Sequence, residues 1–103
     1  MKTDKMIAQI KINKQDYSIR ATMHSLQRMQ ERKIDEYVVA GNVLALGAER
    51  LLKLQLAEEE AIIIDKKTNT SIVIAFVKNT IKVVTVIDKS NVFVKDGTRI
   101  ERI

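Results

Sequence analysis

Between Ala61 and Ile87 the chain passes through three short Ile- and Val-rich runs, AIIID, SIVIAFV and IKVVTVI, divided by the polar turns KKTNT and KNT. β-Branched residues suit the pleated, half-buried surface of a sheet, and short runs with turn signals between them predict a meander of strands. SIVIAFV is apolar on both of its alternating faces, so it needs cover above and below and belongs in the sheet's centre. In IKVVTVI, strict alternation sets Lys82 with Val84 and Val86, and Thr85 with Ile81, Val83 and Ile87. Thr85 among those neighbours reads as a tolerated β-branched residue rather than a nucleophile.

Ahead of the meander, MIAQIKI alternates imperfectly and, with YSIR beyond the polar NKQD, predicts an N-terminal strand or hairpin. Thr22 suits the N-cap of a helix running to about Lys33. Asp35 can cap a second helix, DEYVVAGNVLALG, whose end falls at Gly41 or at Gly47. LLKLQL alternates loosely before the acidic Glu58-Glu59-Glu60, which reads as a solvated turn. At the C-terminus VFVK-DG-TRIERI predicts a closing hairpin, because Asp96-Gly97 suits a type I′ turn. With no proline, repeat or linker to divide it, the chain is expected to form one domain over residues 1–103. The expected class is α+β: two helices from the N-terminal half packed on one face of an antiparallel sheet, closed by a C-terminal hairpin.

Charge is unevenly distributed. Residues 1–34 carry eight Lys/Arg and three Asp/Glu, residues 35–65 two and seven, and residues 66–103 eight and three. If the two basic segments meet in space, they form a surface suited to polyanions while the acidic middle faces elsewhere. The absence of cysteine and the single histidine remove disulfides, thiolate metal sites and histidine-rich metal sites, so no metal or cofactor is expected. The opening MKTDKMIAQIKINK is too charged for a signal peptide, and no apolar run reaches transmembrane length. The expected setting is cytoplasmic, away from membranes.

The candidate site residues lie in TMHSLQRMQERKI, where His24, Arg28 and Arg32 follow one another at four-residue steps along a helical face. Met23, Leu26, Met29 and Ile34 fall on the roughly opposite arc, which is expected to be buried. An imidazole beside two fixed cations can bind a phosphate and move a proton there, giving His24 a catalytic role and Arg28 and Arg32 a clamping one. A second proton carrier would have to come from Tyr17, Tyr37 or a lysine. The structural alternative is local ion pairing, with Glu31 and Asp35 close in sequence. Lys66, Lys67, Lys78 and Lys82 cluster around the strand turns. Lys78 and Lys82 are the phosphate-binding candidates among them, and protection of exposed strands is the alternative use. Arg99 and Arg102, three apart on a strand, point to opposite faces. Aromatic platforms are few, Phe76 being expected in the core, which favours backbone or shape binding over sequence-specific single-strand recognition.

The string HSLQRMQERKI, followed by an Asp-capped helix and a meander containing VVTVI, resembles a family of small bacterial and phage domains marked by an H-x-x-x-R-x-x-x-R helix. That family is similar in turn to the RelE/ParE toxin superfamily, including BrnT-like toxins. The resemblance covers roughly residues 18–88 and matches His24, Arg28 and Arg32 to the motif. It implies a RelE-like fold, with helices packed on a curved antiparallel sheet. It also implies an RNA- or ribosome-interacting domain, with metal-independent endoribonuclease activity among the functions of such folds. Its partners would be RNA, the ribosome, or an antitoxin or other protein. The alternative is a non-enzymatic protein-interaction module or inhibitor carried by a phage or mobile element. The oligomeric state is open.

Overall fold

Each of the three Ile/Val-rich runs becomes a strand of one six-stranded sheet in the computed structural model, which describes residues 4–57, 60–94 and 97–103. The elements run β1 (Asp4–Ile12), β2 (Gln15–Thr22), α1 (Met23–Glu31), α2 (Glu36–Ala45), α3 (Gly47–Ala57), β3 (Ala61–Asp65), β4 (Thr70–Val77), β5 (Thr80–Ile87) and β6 (Arg99–Arg102). The class is α+β, with strand order β1-β2-β5-β4-β3-β6. β4 lies inside the sheet, between β5 and β3, as its two apolar faces require.

Three expectations are corrected. The sheet is mixed rather than antiparallel, because β2 pairs with β5, and β3 with β6, in parallel. The described residues form three helices rather than two: α2 continues through Gly41, and α3 follows it at Gly47. Gly47 has φ +85°, a left-handed value that lets the chain redirect between the two helices. The closing hairpin does not form. Residues 92–94 are not strand, and Arg99–Arg102 pairs with β3 instead. The turn residue Asp96 lies outside the described residues.

Alternation along β5 is broken by a bulge. Val73 faces Thr85 while Ile74 faces Val83, so Val84 is an extra residue. Val86 therefore joins Ile81 and Val83 in the core, and Thr85 turns to the other face, opposite Val73. This reverses the face that strict alternation assigns to Thr85.

The helices and the inner sheet face enclose one core built on Ile19, Val43, Leu51, Leu54, Ile63, Ile72 and Ile81. Ile62 and Ile64 are also buried, although they point to the other face of β3. Ile64 is covered because residues 90–94 cross that helix-free face, with Val92 and Val94 near Ile64 and Ile100. The crossing is anchored at its start. Ser71 Oγ donates to the Lys89 carbonyl at 2.6 Å, and Asn69 Oδ1 accepts from the Ser90 amide at 2.9 Å.

α1 ends as its hydrogen bonds dictate. The Ile34 amide reaches the Met29 carbonyl at 2.8 Å and the Lys33 amide reaches Gln30 at 3.3 Å, a Schellman arrangement with Lys33 at φ +54°. A non-glycine residue there costs about 1 kcal/mol. Lys33→Gly is therefore expected to raise stability by about 0.5 kcal/mol in urea titration, the relief of strain being offset in part by the freer unfolded chain. A loss of stability would contradict this account of the α1 terminus.

Candidate nucleic-acid interface

Thr22 caps α1 as expected, its Oγ1 accepting from the Ser25 amide at 3.1 Å, while Ser25 Oγ donates back to the Thr22 carbonyl at 2.9 Å. That exchange turns Ser25 into the sheet, where it is fully buried beside Met29. Leu26 and Ile34 are half-buried, and Met23 is 59% exposed rather than buried. With Ser25 and Met29 at the centre of the buried arc, Arg32 falls within about 60° of both, Arg28 on the flank, and His24 farther out. The stripe thus spirals from solvent to sheet.

Both arginines are engaged. Arg28 Nη1 bonds Glu31 at 2.8 Å. Arg32 donates from Nη1 to the Val86 carbonyl and lies 3.6 Å from Asp88 through Nε. His24 is exposed, and its imidazole has no hydrogen-bond partner among the described residues. Of the candidate second proton carriers, Tyr17 is buried with its hydroxyl donating to Gln55 Oε1 at 2.8 Å, and Tyr37 is 87% exposed in the first turn of α2. A groove of about 560 Å³ runs between β1, α1 and α2 over Ile7, Leu26, Met29 and Ile34, with Lys5 and Glu36 paired at its rim.

Lys78 and Lys82 lie away from this helix. Lys82 stands between Ile81 and Val83, both fully buried, so it points to the helix-free face beside Arg20 on β2. Lys78 occupies the tight β4–β5 turn at φ +54°. The parallel pairing of β2 and β5 brings that turn against the β1–β2 turn. The Ser18 amide donates to the Asn79 carbonyl at 3.1 Å, and Asn79 Nδ2 to the Asp16 carbonyl at 3.4 Å. Lys14 sits at the tip of the second turn, at φ +67°.

From the core side, Gln55 Nε2 donates to the Lys78 carbonyl at 2.9 Å while its Oε1 accepts the Tyr17 hydroxyl. Two lysines are thus held in left-handed backbone at adjoining tips, each at a cost of about 1–2 kcal/mol. Lys11 and Arg20 continue the basic surface along the outer strands, each with an acidic neighbour: Asp16 at 3.8 Å and Asp4 at 2.9 Å. Lys14, Lys78 and Lys82 have no ion-pair partner among the described residues.

The two basic ends of the sequence therefore do meet, along the β2–β5 seam. The acidic residues of the middle segment that are described lie elsewhere. Asp35, Glu36 and Glu49 are on the helical side, and Asp65 is buried in the β3–β4 turn, where it accepts from the Lys67 amide and Thr68 Oγ1, each at 2.9 Å. Lys14 was not singled out from sequence. Its signal was the Asn13-Lys14 pair between two alternating runs, a short turn that presents a lysine. Among the described residues no helix is long and apolar enough to cross a membrane. In comparisons with known proteins, no family model, curated protein or solved structure matches this chain.

Proposed function

We propose that this is a RelE/ParE toxin-like domain that binds RNA, free or ribosomal, by its phosphate backbone. The binding surface is the paired turn tips and the adjoining helix-free sheet face. The observation that carries the proposal is the convergence of Lys14, Lys78 and Lys82, without ion-pair partners among the described residues, where the two turns are tied through Asn79. Ordered backbone fixes where these ammonium groups emerge, and phosphate contacts position a polyanion without reading its sequence. The scarcity of exposed aromatic side chains on this seam agrees with backbone rather than base recognition.

Cleavage is not part of the proposal. Arg28 and Arg32 would have to exchange Glu31, Asp88 and the Val86 carbonyl for a phosphate, and His24 would need a second proton carrier. A second reading, the protein-interaction module, is favoured by the apolar floor of the groove between β1, α1 and α2.

Amide chemical-shift mapping with a short single-stranded RNA separates these possibilities. The expected shifts fall on residues 13–20 and 78–85. Shifts centred on His24 to Arg32 would move the RNA surface to the α1 stripe, and no shifts at low salt would remove RNA as the ligand.

A further inference from the structure

We infer that the cleft beneath residues 90–94 binds a nucleoside monophosphate, with its base against Phe93 and its phosphate between Lys66 and Arg102. The cleft encloses about 480 Å³, a volume in the range of small-ligand sites. It opens on the helix-free side of the sheet. Its floor is Ile64 of β3 and Ile100 of β6, which share that face because Ile62 pairs with Ile100.

Phe93 is 95% exposed at its wall. A ring left bare in water is a ready platform for another π-system. Lys66 and Arg102 line the same cleft, and among the described residues neither side chain is in an ion pair.

The chemistry of the lining selects the occupant. An apolar molecule would leave two cations facing it without counter-charge. Inorganic phosphate would satisfy the cations and leave Phe93 and the half-exposed Ile100 uncovered. An acidic peptide would bring carboxylates, but an extended backbone finds its hydrogen bonds at the open edge of β6, not on the face where the cleft lies. A planar heterocycle joined through a sugar to a phosphate meets all three demands. Asn91, also in the lining, offers an amide donor and acceptor to a base edge. The site does not depend on RNA binding at the turns, since Lys66 and Lys78 lie at opposite ends of β4.

Titration of the full chain with adenosine 5′-monophosphate, adenosine and inorganic phosphate, followed by amide shifts and calorimetry, tests this. The monophosphate is expected to bind more tightly than either of its parts, with shifts at residues 64–66, 90–94 and 100–102. Phe93→Ala should weaken it about tenfold and leave phosphate unchanged, while Phe93→Trp should retain or tighten binding. Lys66→Ala with Arg102→Ala should bring its affinity down to that of adenosine. Phe93, Lys66 and Arg102 are exposed, so these variants keep the core intact. Lys78→Ala with Lys82→Ala should leave nucleotide affinity unchanged whether or not RNA binding falls, so failure of either proposal is read independently. Three results would each overturn the inference: no shifts at residues 90–94 at millimolar nucleotide, phosphate binding as tightly as the monophosphate with no dependence on Phe93, or a glutamate-rich peptide binding where the nucleotide does not.

Discussion

Ile63→Ala is expected to cost about 4 kcal/mol in urea denaturation. Ile63 is fully buried on the inner face of β3, and Ile72, its cross-strand partner, is fully buried too. Removing three carbons there loses their transfer free energy and leaves a cavity that a sheet held on both sides cannot close. Domains of this size have about 5–15 kcal/mol of total stability, so the variant should sit near its unfolding threshold. Val77→Ala, at a half-exposed position near the end of β4, should change stability by about 0.5 kcal/mol or less. A loss of under about 1 kcal/mol for Ile63→Ala would mean that the inner face of β3 is not core.

Much of this sheet was legible because composition and turn chemistry act locally. AIIID, SIVIAFV and IKVVTVI carry their strand preference within themselves, and the Thr22 cap marks where α1 begins. The parallel neighbours were hidden. Nothing in YSIR says that β5, some sixty residues later, will lie beside it, because that pairing depends on how three helices carry the chain across the sheet. α3 was missed for a different reason. LLKLQL is too short to decide between periods of two and 3.6, although Glu49 and Lys53, four apart and 3.6 Å from each other, were a helical signal. The C-terminal segment misled because the Asp-Gly turn signal is local. The free edge of β3 offered Arg99–Arg102 a complete ladder elsewhere.

The candidate site divides along the same line. Spacing placed His24 and Arg28 on α1 correctly, while Arg32, expected on the same helix, is its C-cap. The rotation of the helix is set by Ser25 packing into the sheet, a tertiary contact that hydrophobicity does not reveal. Arg32 therefore serves the Val86 carbonyl and Asp88. Lys78 and Lys82 were visible as turn-flanking charges. Their meeting with Lys14 depends on the β2–β5 pairing and was out of reach.

Reversing those three charges together, Lys14→Glu, Lys78→Glu and Lys82→Glu, is expected to weaken RNA binding about a hundredfold at about 0.1 M salt. Each phosphate contact on a single strand contributes about 0.7 to the slope of log K against log salt, so three contacts referred to 1 M salt amount to about two decades. The slope itself should flatten by about two units, because those counterions are no longer released. All three positions are on exposed turns or the open face, away from the core cluster, so the fold should survive.

The measurement that decides the matter is a salt-dependent RNA titration of this variant beside a charge-matched one, Arg28→Glu with Lys33→Glu and Lys53→Glu, which changes net charge equally on the helical side. If RNA lies on the turn tips and open sheet, the first variant loses about two decades of affinity and most of its slope, and the second loses no more than about threefold. Equal losses in both, or a larger loss in the helical variant, would contradict a surface at the β2–β5 seam.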